Sequence, residues 1–224
     1  EESLLLESHH GKGFWGSPYA LVQYMAKQKC FEDWIFILVA PQHQHAQLRS
    51  ALPGVRLRFV KARSFRYAWY LATSRWLVND VTFPLYFSRR HEQSYLNTWH
   101  GTPLKTLGRH INNGAAQQLV NVQRNFFHAT HLLAPNLHTE SVLLDAYMLR
   151  GMWSGEMLRC GYPSNDVFAA RSTQPLDNNH MNIAFRPTWR GTLETQSEAS
   201  RTLLRELQEL LADLEASLHN NEPL

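Results

Sequence analysis

The stretch Asn97 to His110, NTWHGTPLKTLGRH, gathers His100, Gly101, Thr102, Pro103, Lys105 and Gly108 into one short segment. Imidazole titrates near neutrality and so can accept a proton at cell pH. Glycine and proline bend the backbone into turns, and exposed amides, a hydroxyl and an ammonium can hold an anion there. Phosphoryl transfer needs that pairing: the attacking hydroxyl must lose its proton while charge spreads over the phosphate oxygens. For a lone histidine a hydrogen-bonded loop cap is the commoner role, so residue type alone leaves both roles open for His100.

The elements that must position this segment alternate between strand and helix, the pattern of an α/β sheet. Leu4 to Leu6 reads as a first strand. Pro18 to Gln28 reads as a helix with Ser17 as N-cap and Pro18 in its first turn. Trp34 to Val39 is a continuous apolar run of the kind found in buried parallel strands. Val55 to Val60 alternates, Tyr67 to Thr73 is helical, and Trp76 to Asn79 returns to strand. An apolar strand near Tyr95 to Trp99 delivers His100 to a loop, and Gly108 to Gly114 continues as loop. Thr130 to Ala134 is a further short strand, followed by a helix from Thr139 to Arg150. His9 and His10 fall together on a strand and point two ways, while His43 and His45 fall in a polar loop after Pro41; neither pair reads as a metal site. Trp15, Trp34, Trp69, Trp76 and Trp153 are mostly core candidates.

The chain turns polar between Gly161 and His180, the expected linker, with Asn165 and Asp166 shaping a hinge. A second α/β unit then opens with a strand at Asn182 to Phe185, a loop at Pro187 to Thr195 and an amphipathic helix at Glu198 to Leu218. Leu203, Leu207, Leu210, Leu211, Leu214 and Leu218 recur along that helix at three- and four-residue spacing, giving one apolar face. That face is expected to dock on the first domain, dimerise or aggregate.

With 224 residues, 44% of them hydrophobic, the chain can bury a substantial core. Its longest apolar run is far short of the roughly 18 residues that suggest a membrane span, and no signal peptide is visible. Cys30 and Cys160 stand alone, with no CxxC and no histidine at metal-ligand spacing, so neither a zinc site nor a disulfide framework is expected, and a reducing cytosol fits. Lys and Arg exceed Asp and Glu by 22 to 19. Arg56, Arg58, Lys61, Arg63 and Arg66 cluster, which suits an anionic partner, although a solvated basic face is the commoner meaning of such a cluster. RNA-recognition aromatic motifs, a P-loop and a nucleophile elbow are absent from the sequence.

WHGTPLKTLG resembles the signature of the CDP-glycerol glycerophosphotransferase family, which primes or polymerises teichoic acids and related capsular polymers. Further strings match that family in the same order: Leu6-Glu7-Ser8 with Gly11-Lys12 and Ser17-Pro18, then Tyr70 to Ser74 leading to Asn79 and Pro84. They continue with Ala134-Pro135-Asn136, Gly161-Tyr162-Pro163 with Asn165-Asp166, and Arg186-Pro187-Thr188-Trp189-Arg190. The pattern departs from the family at Arg186, where a small residue is usual, and at Ser164, where a basic one is frequent. The chain also stops at Leu224, before the family's later Gly-, Ser- and Asp-rich motifs, and begins on a strand with Glu1, so it reads as a fragment.

The resemblance implies a GT-B-like α/β fold: a complete Rossmann-like acceptor-side domain over residues 1–160, a hinge over 161–180, and the first elements of a nucleotide-binding domain over 181–224. It implies transfer of glycerol phosphate, or a related polyol phosphate such as ribitol phosphate, from CDP-glycerol to a lipid-linked or polymeric acceptor. That reaction releases CMP, needs no cofactor or metal, and runs at the inner face of the cell membrane, with an anionic membrane surface and no nucleic acid as partner. Within the match His100 is the general base, and Thr188, Arg190 and Arg186 contact donor phosphate. Arg offers a planar fork of donors for such oxygens, although Arg190 by itself reads equally as a surface salt-bridge partner. Glu7, Ser8, Lys12, Gly101, Thr102 and Lys105 fall on the acceptor side. Alternative readings are a GT-B nucleotide-sugar glycosyltransferase and, resting only on the basic balance, a non-catalytic module for anionic polymer.

Overall fold

Among the described residues seven short segments form parallel strands: β1 Ser3–Glu7, β2 Ile35–Val39, β3 Arg56–Val60, β4 Trp76–Asn79, β5 Ser94–Asn97, β6 His131–Leu133 and β7 Glu156–Leu158. The computed structural model describes residues 2–111, 116–171 and 196–220. The strands lie in the order β3-β2-β1-β4-β5-β6-β7. β2 is buried along its whole length, as its unbroken IFILV requires.

Because successive strand side chains point to opposite faces, the strands β1 to β5 feed two cores. Leu5, Ile37, Leu77, Tyr95 and Leu132 pack with Tyr67 and Leu71 of helix α3 (Phe65–Thr73), with Phe126 of α4 (Ala116–His128) and with Leu143 of α5 (Leu137–Ala146). The alternate residues Leu4, Leu6, Phe36, Leu38 and Val78 pack with Val22 of α1 (Gly16–Met25) and Leu48 of α2 (His45–Ala51). The chain runs outward from β1 to β3, crosses back through α3, and resumes at β4 on the other side of β1. Where strand order reverses in this way, neighbouring loops leave the sheet in opposite directions and open a crevice at the carboxyl edge.

The compact first unit spans Glu1–Gln174 and contains α6 (Asp166–Arg171); the second, Pro175–Leu224, contains α7 (Gln196–Asn220), a single long helix where the leucine spacing calls for one. The strand expected at Asn182 to Phe185 lies outside the described residues.

Several local expectations are corrected. Ser17 does not cap α1: the helix starts at Gly16, Trp15 occupies the N-cap position without a side-chain bond, and Ser17 Oγ lies 3.4 Å from Ser164 Oγ. His9 and His10 are on no strand; they form a short 3₁₀ turn with φ of 47° and 57°. His45 opens α2 instead of lying in a loop, its ring stacked on Phe59 at 4.1 Å and Nε2 placed 3.1 Å from the Ala40 carbonyl oxygen. Trp15, which precedes α1, and Trp69, on the outer side of α3, are exposed. α4, which the sequence reading did not assign, is an amphipathic helix whose Leu119, Val122 and Phe126 face the core at helical spacing.

Candidate active site

Polar residues terminate the three central strands at the crevice. Glu7 of β1 lies in register with Asn79 of β4, and Asn79 with Asn97 of β5; all three are buried. A buried polar side chain must find partners: Glu7 takes the Tyr67 hydroxyl of α3, and the two asparagines bond groups in the departing loops. Asn79 Oδ1 accepts from the Val81 N–H, and Asn97 Oδ1 accepts from the Trp99 N–H at 2.9 Å, while Asn97 Nδ2 donates to the Val81 carbonyl at 2.8 Å. The two asparagines thereby lock the β4 and β5 loops to each other as they leave the sheet.

His100 follows this lock directly. Trp99 holds φ at 53°, a left-handed conformation that costs an L-residue roughly 1–2 kcal/mol. Its buried ring offsets that cost by packing edge-on against Phe126 at 5.5 Å and Tyr147 at 6.2 Å. The backbone reversal leaves the His100 ring exposed, 4.2 Å from the Trp99 ring. His100 Nδ1 sits 2.9 Å from the Asp80 carbonyl oxygen. A carbonyl only accepts, so Nδ1 carries the hydrogen and, in the neutral ring, Nε2 keeps its lone pair as a base.

Asp80 is the residue that sequence reasoning missed. It is 2% exposed, and its carboxylate accepts from Ser8 Oγ at 2.8 Å and from the His9 N–H at 2.9 Å, with His9 Nε2 at 3.9 Å. Asp80 thus ties the β1 loop to the β4 loop while its own carbonyl orients His100. The signal was present: an Asn-Asp pair closes the apolar strand Trp76 to Val78, at the edge where open parallel sheets bind ligands.

A cavity of about 150 Å³ opens beside His100, lined by His9, Ser17, Asp80, Gly101, Tyr162 and Asn165 among others. Burial raises the Tyr162 hydroxyl above its ordinary range, so it stays protonated as a neutral hydrogen-bonding group. Of the residues expected at the site, His100 and Gly101 line this cavity, and Ser8 braces it from beneath, its single hydrogen shared between Asp80 and the Trp15 carbonyl at 2.9 Å. Lys12, Thr102 and Lys105 are exposed and outside the lining. Arg186, Thr188 and Arg190 lie outside the described residues. Among the described residues no group of three or more His, Cys, Asp or Glu could hold a metal ion.

Glu7 faces a neighbouring cavity of about 80 Å³ with His10, Arg63, Tyr67, Thr82 and Asn121. Burial pushes its carboxyl up to about 7, and nearby Asp80 adds to the rise; the Tyr67 hydroxyl, which donates to Glu7 Oε2, and Arg63 oppose it. The folded state therefore binds a proton that the unfolded chain releases above its ordinary 4.5. Stability falls as pH rises from about 4.5 to 7, by about 3 kcal/mol at most. Glu7→Gln is expected to flatten that slope in chemical denaturation series at pH 5, 6, 7 and 8. An unchanged slope in the variant would place the titration elsewhere.

The profile described as CDP-Glycerol:Poly(glycerophosphate) glycerophosphotransferase matches residues 1–221. The chain is 29% identical over 208 residues to a teichoic acid poly(glycerol phosphate) polymerase of Staphylococcus epidermidis, an alignment covering 84% of the chain and 27% of the relative. It is 28% identical over 211 residues to a teichoic acid glycerol-phosphate transferase of Staphylococcus aureus, covering 84% and 50%. Among solved structures, the wall teichoic acid polymerase TagF superimposes with a TM-score of 0.59 at 25% identity, over 77% of this chain and 41% of that one. A TagF variant soaked with CDPG gives 0.63 at 25% identity. The chain thus spans from about a quarter to half the length of these proteins.

Proposed function

The chain belongs to the CDP-glycerol:poly(glycerophosphate) glycerophosphotransferase family, and from that premise we propose that it supplies the acceptor-side half of an enzyme moving glycerol phosphate from CDP-glycerol to a glycerophosphate polymer. The observation that carries the reading is His100: Nδ1–H is spent on the Asp80 carbonyl, which leaves Nε2 as a base beside a cavity at the carboxyl edge of a parallel sheet. In the reaction, the acceptor hydroxyl gives its proton to His100 Nε2 as its oxygen attacks the phosphorus bonded to glycerol. The bond from that phosphorus to CMP breaks, and CMP departs with the electron pair. Arg186, Thr188 and Arg190 bind the donor phosphates, and Lys12, Thr102 and Lys105 meet the anionic acceptor.

The acceptor is lipid-linked or polymeric, and the enzyme works peripherally on the inner face of the membrane. Among the described residues no helix is long and apolar enough to cross a bilayer. Phe65 and Trp69 stand exposed one helical turn apart on α3, with Lys61, Arg63 and Arg66 beside them in sequence. Exposed aromatics with basic neighbours suit the headgroup region of an anionic leaflet.

The test is donor turnover by the intact gene product. CMP release from CDP-glycerol that depends on a glycerophosphate acceptor is expected, with no turnover of nucleotide sugars. Turnover of a nucleotide sugar instead would make the chain part of a glycosyltransferase.

A further inference from the structure

The cavity at Glu7 is lined separately from the one at His100, and no step of the proton and phosphoryl transfer takes place in it. The two lie on either side of the Ser8 to His10 turn. Its floor is the Glu7 carboxyl, 3% exposed, with Oε2 receiving the Tyr67 hydroxyl. Thr82 forms one wall and is fixed by α4: Asn121 Nδ2 donates to Thr82 Oγ1 at 3.1 Å, while Asn125 bonds both backbone groups of Phe83, at 2.8 and 3.1 Å. Arg63 forms another wall, from a backbone held at φ 60°. Gly11 keeps the β1 turn against that segment: its φ is 70°, and a Cβ there would lie 2.6 Å from Ala62 Cβ. These contacts come from β1, α3, α4 and two loops, so the lining is preformed.

We propose that this cavity is a subsite for a polyol phosphate unit, the glyceryl hydroxyls reaching Glu7 and Thr82 and the phosphate lying on Arg63. The assignment rests on the transfer reading for its biological meaning, but the chemistry is in the lining. A buried carboxyl, a threonine hydroxyl and an asparagine amide recognise hydroxyl groups. A single guanidinium at the rim recognises an anion. About 80 Å³ accommodates a three-carbon polyol and is too small for a nucleoside. Because burial pushes the Glu7 carboxyl up to about 7, it can give a hydrogen as well as accept one, and it repels a nearby phosphate less than an ordinary carboxylate would. A growing glycerophosphate chain whose terminal hydroxyl is at His100 would present an earlier unit to such a neighbouring subsite.

The experiment is ligand-observed NMR titration of the full 224-residue chain with sn-glycerol 3-phosphate, glycerol and inorganic phosphate as separate probes. Saturable binding of glycerol phosphate in the millimolar range is expected, with glycerol and phosphate each binding at least tenfold more weakly. Arg63→Ala, an exposed position whose loss leaves the fold intact, and Glu7→Ala should each weaken glycerol phosphate roughly tenfold or more. His100→Ala should leave it unchanged. Circular dichroism checks that Glu7→Ala is folded; if it is not, Arg63→Ala decides. Absence of saturable binding, binding indifferent to Arg63→Ala, or binding lost in His100→Ala overturns the subsite. The readout involves no donor and no turnover, so a failure of CDP-glycerol transfer would leave it standing, and its own failure would leave the transfer reading intact.

Discussion

Replacing His100 with Ala in the intact enzyme is expected to slow glycerophosphate transfer by roughly 10²- to 10⁴-fold while CDP-glycerol affinity stays nearly constant, the behaviour of a group that acts on a proton in the transition state. The expectation follows from the tautomer. Nδ1–H is committed to a backbone carbonyl that no side-chain substitution removes, so the imidazole orientation belongs to the loop, and its Nε2 alone is at risk. His100→Gln should not restore the rate, because an amide can accept a hydrogen bond but cannot take up the proton. Pre-steady-state CMP release with equilibrium donor binding separates the two quantities. A variant that loses donor affinity yet keeps its chemical rate would make His100 a donor-binding residue.

Gly108→Ala is expected to damage the fold itself. Gly108 has φ of 55°, and a Cβ there would lie 2.1 Å from the carbonyl oxygen of Ala146 and 2.7 Å from its carbonyl carbon. Ala146 is the last residue of α5, and a helix backbone cannot swing aside as a flexible side chain can. Left-handed strain contributes roughly 1–2 kcal/mol, and displacing the end of α5 brings the total to about 3 kcal/mol or more. For a unit of this size the thermal midpoint should fall by about 10 °C. Gly151→Ala is the matched control: φ is 69° with nothing within 4 Å of the added Cβ, so it carries the strain without the collision. Equal midpoints for the two variants would show that the Gly108 turn yields freely and that its closeness to α5 is unimportant.

The leverage of Gly108 connects the chemistry to the scaffold. The segment from Asn97 to Gly108 begins on a strand end and finishes packed on α5, and in between the Pro103 carbonyl accepts from His138 Nε2 at 3.0 Å. The loop carrying His100 is therefore held at both ends and in the middle, as a group that must meet a reacting oxygen requires.

What the sequence determined by itself was six of the seven described strands, with β7 at Glu156–Leu158 left unassigned, and the loop proposed to carry the chemistry. Short apolar runs such as IFILV at 35–39 and WLV at 76–78 have one stable use, as buried parallel strands, and that inference needs only local hydrophobicity. The ordered WHGTPLK, GYP and PTWR strings carried the family, because side-chain types at fixed spacing are themselves the record of a site. Helices with strong spacing, α3 and α7, were legible for the same reason.

What tertiary structure decided was everything that depends on who pairs with whom across long sequence distances. The meeting of Glu7, Asp80 and His100 follows from the reversal of strand order between β1 and β4, which no local window contains. The sequence marked Asp80 only as the end of a strand, because its contacts are to Ser8 and His9, more than seventy positions away. His9 and His10 left the strand expected for them because β1 ends at Glu7, where pairing with β2 and β4 stops and the chain must turn out of the sheet. Glu7 itself shows the division most plainly: its residue type promises an ordinary carboxylate, and only burial in the fold, with Asp80 nearby, pushes it up to about 7 against the Tyr67 hydroxyl and Arg63.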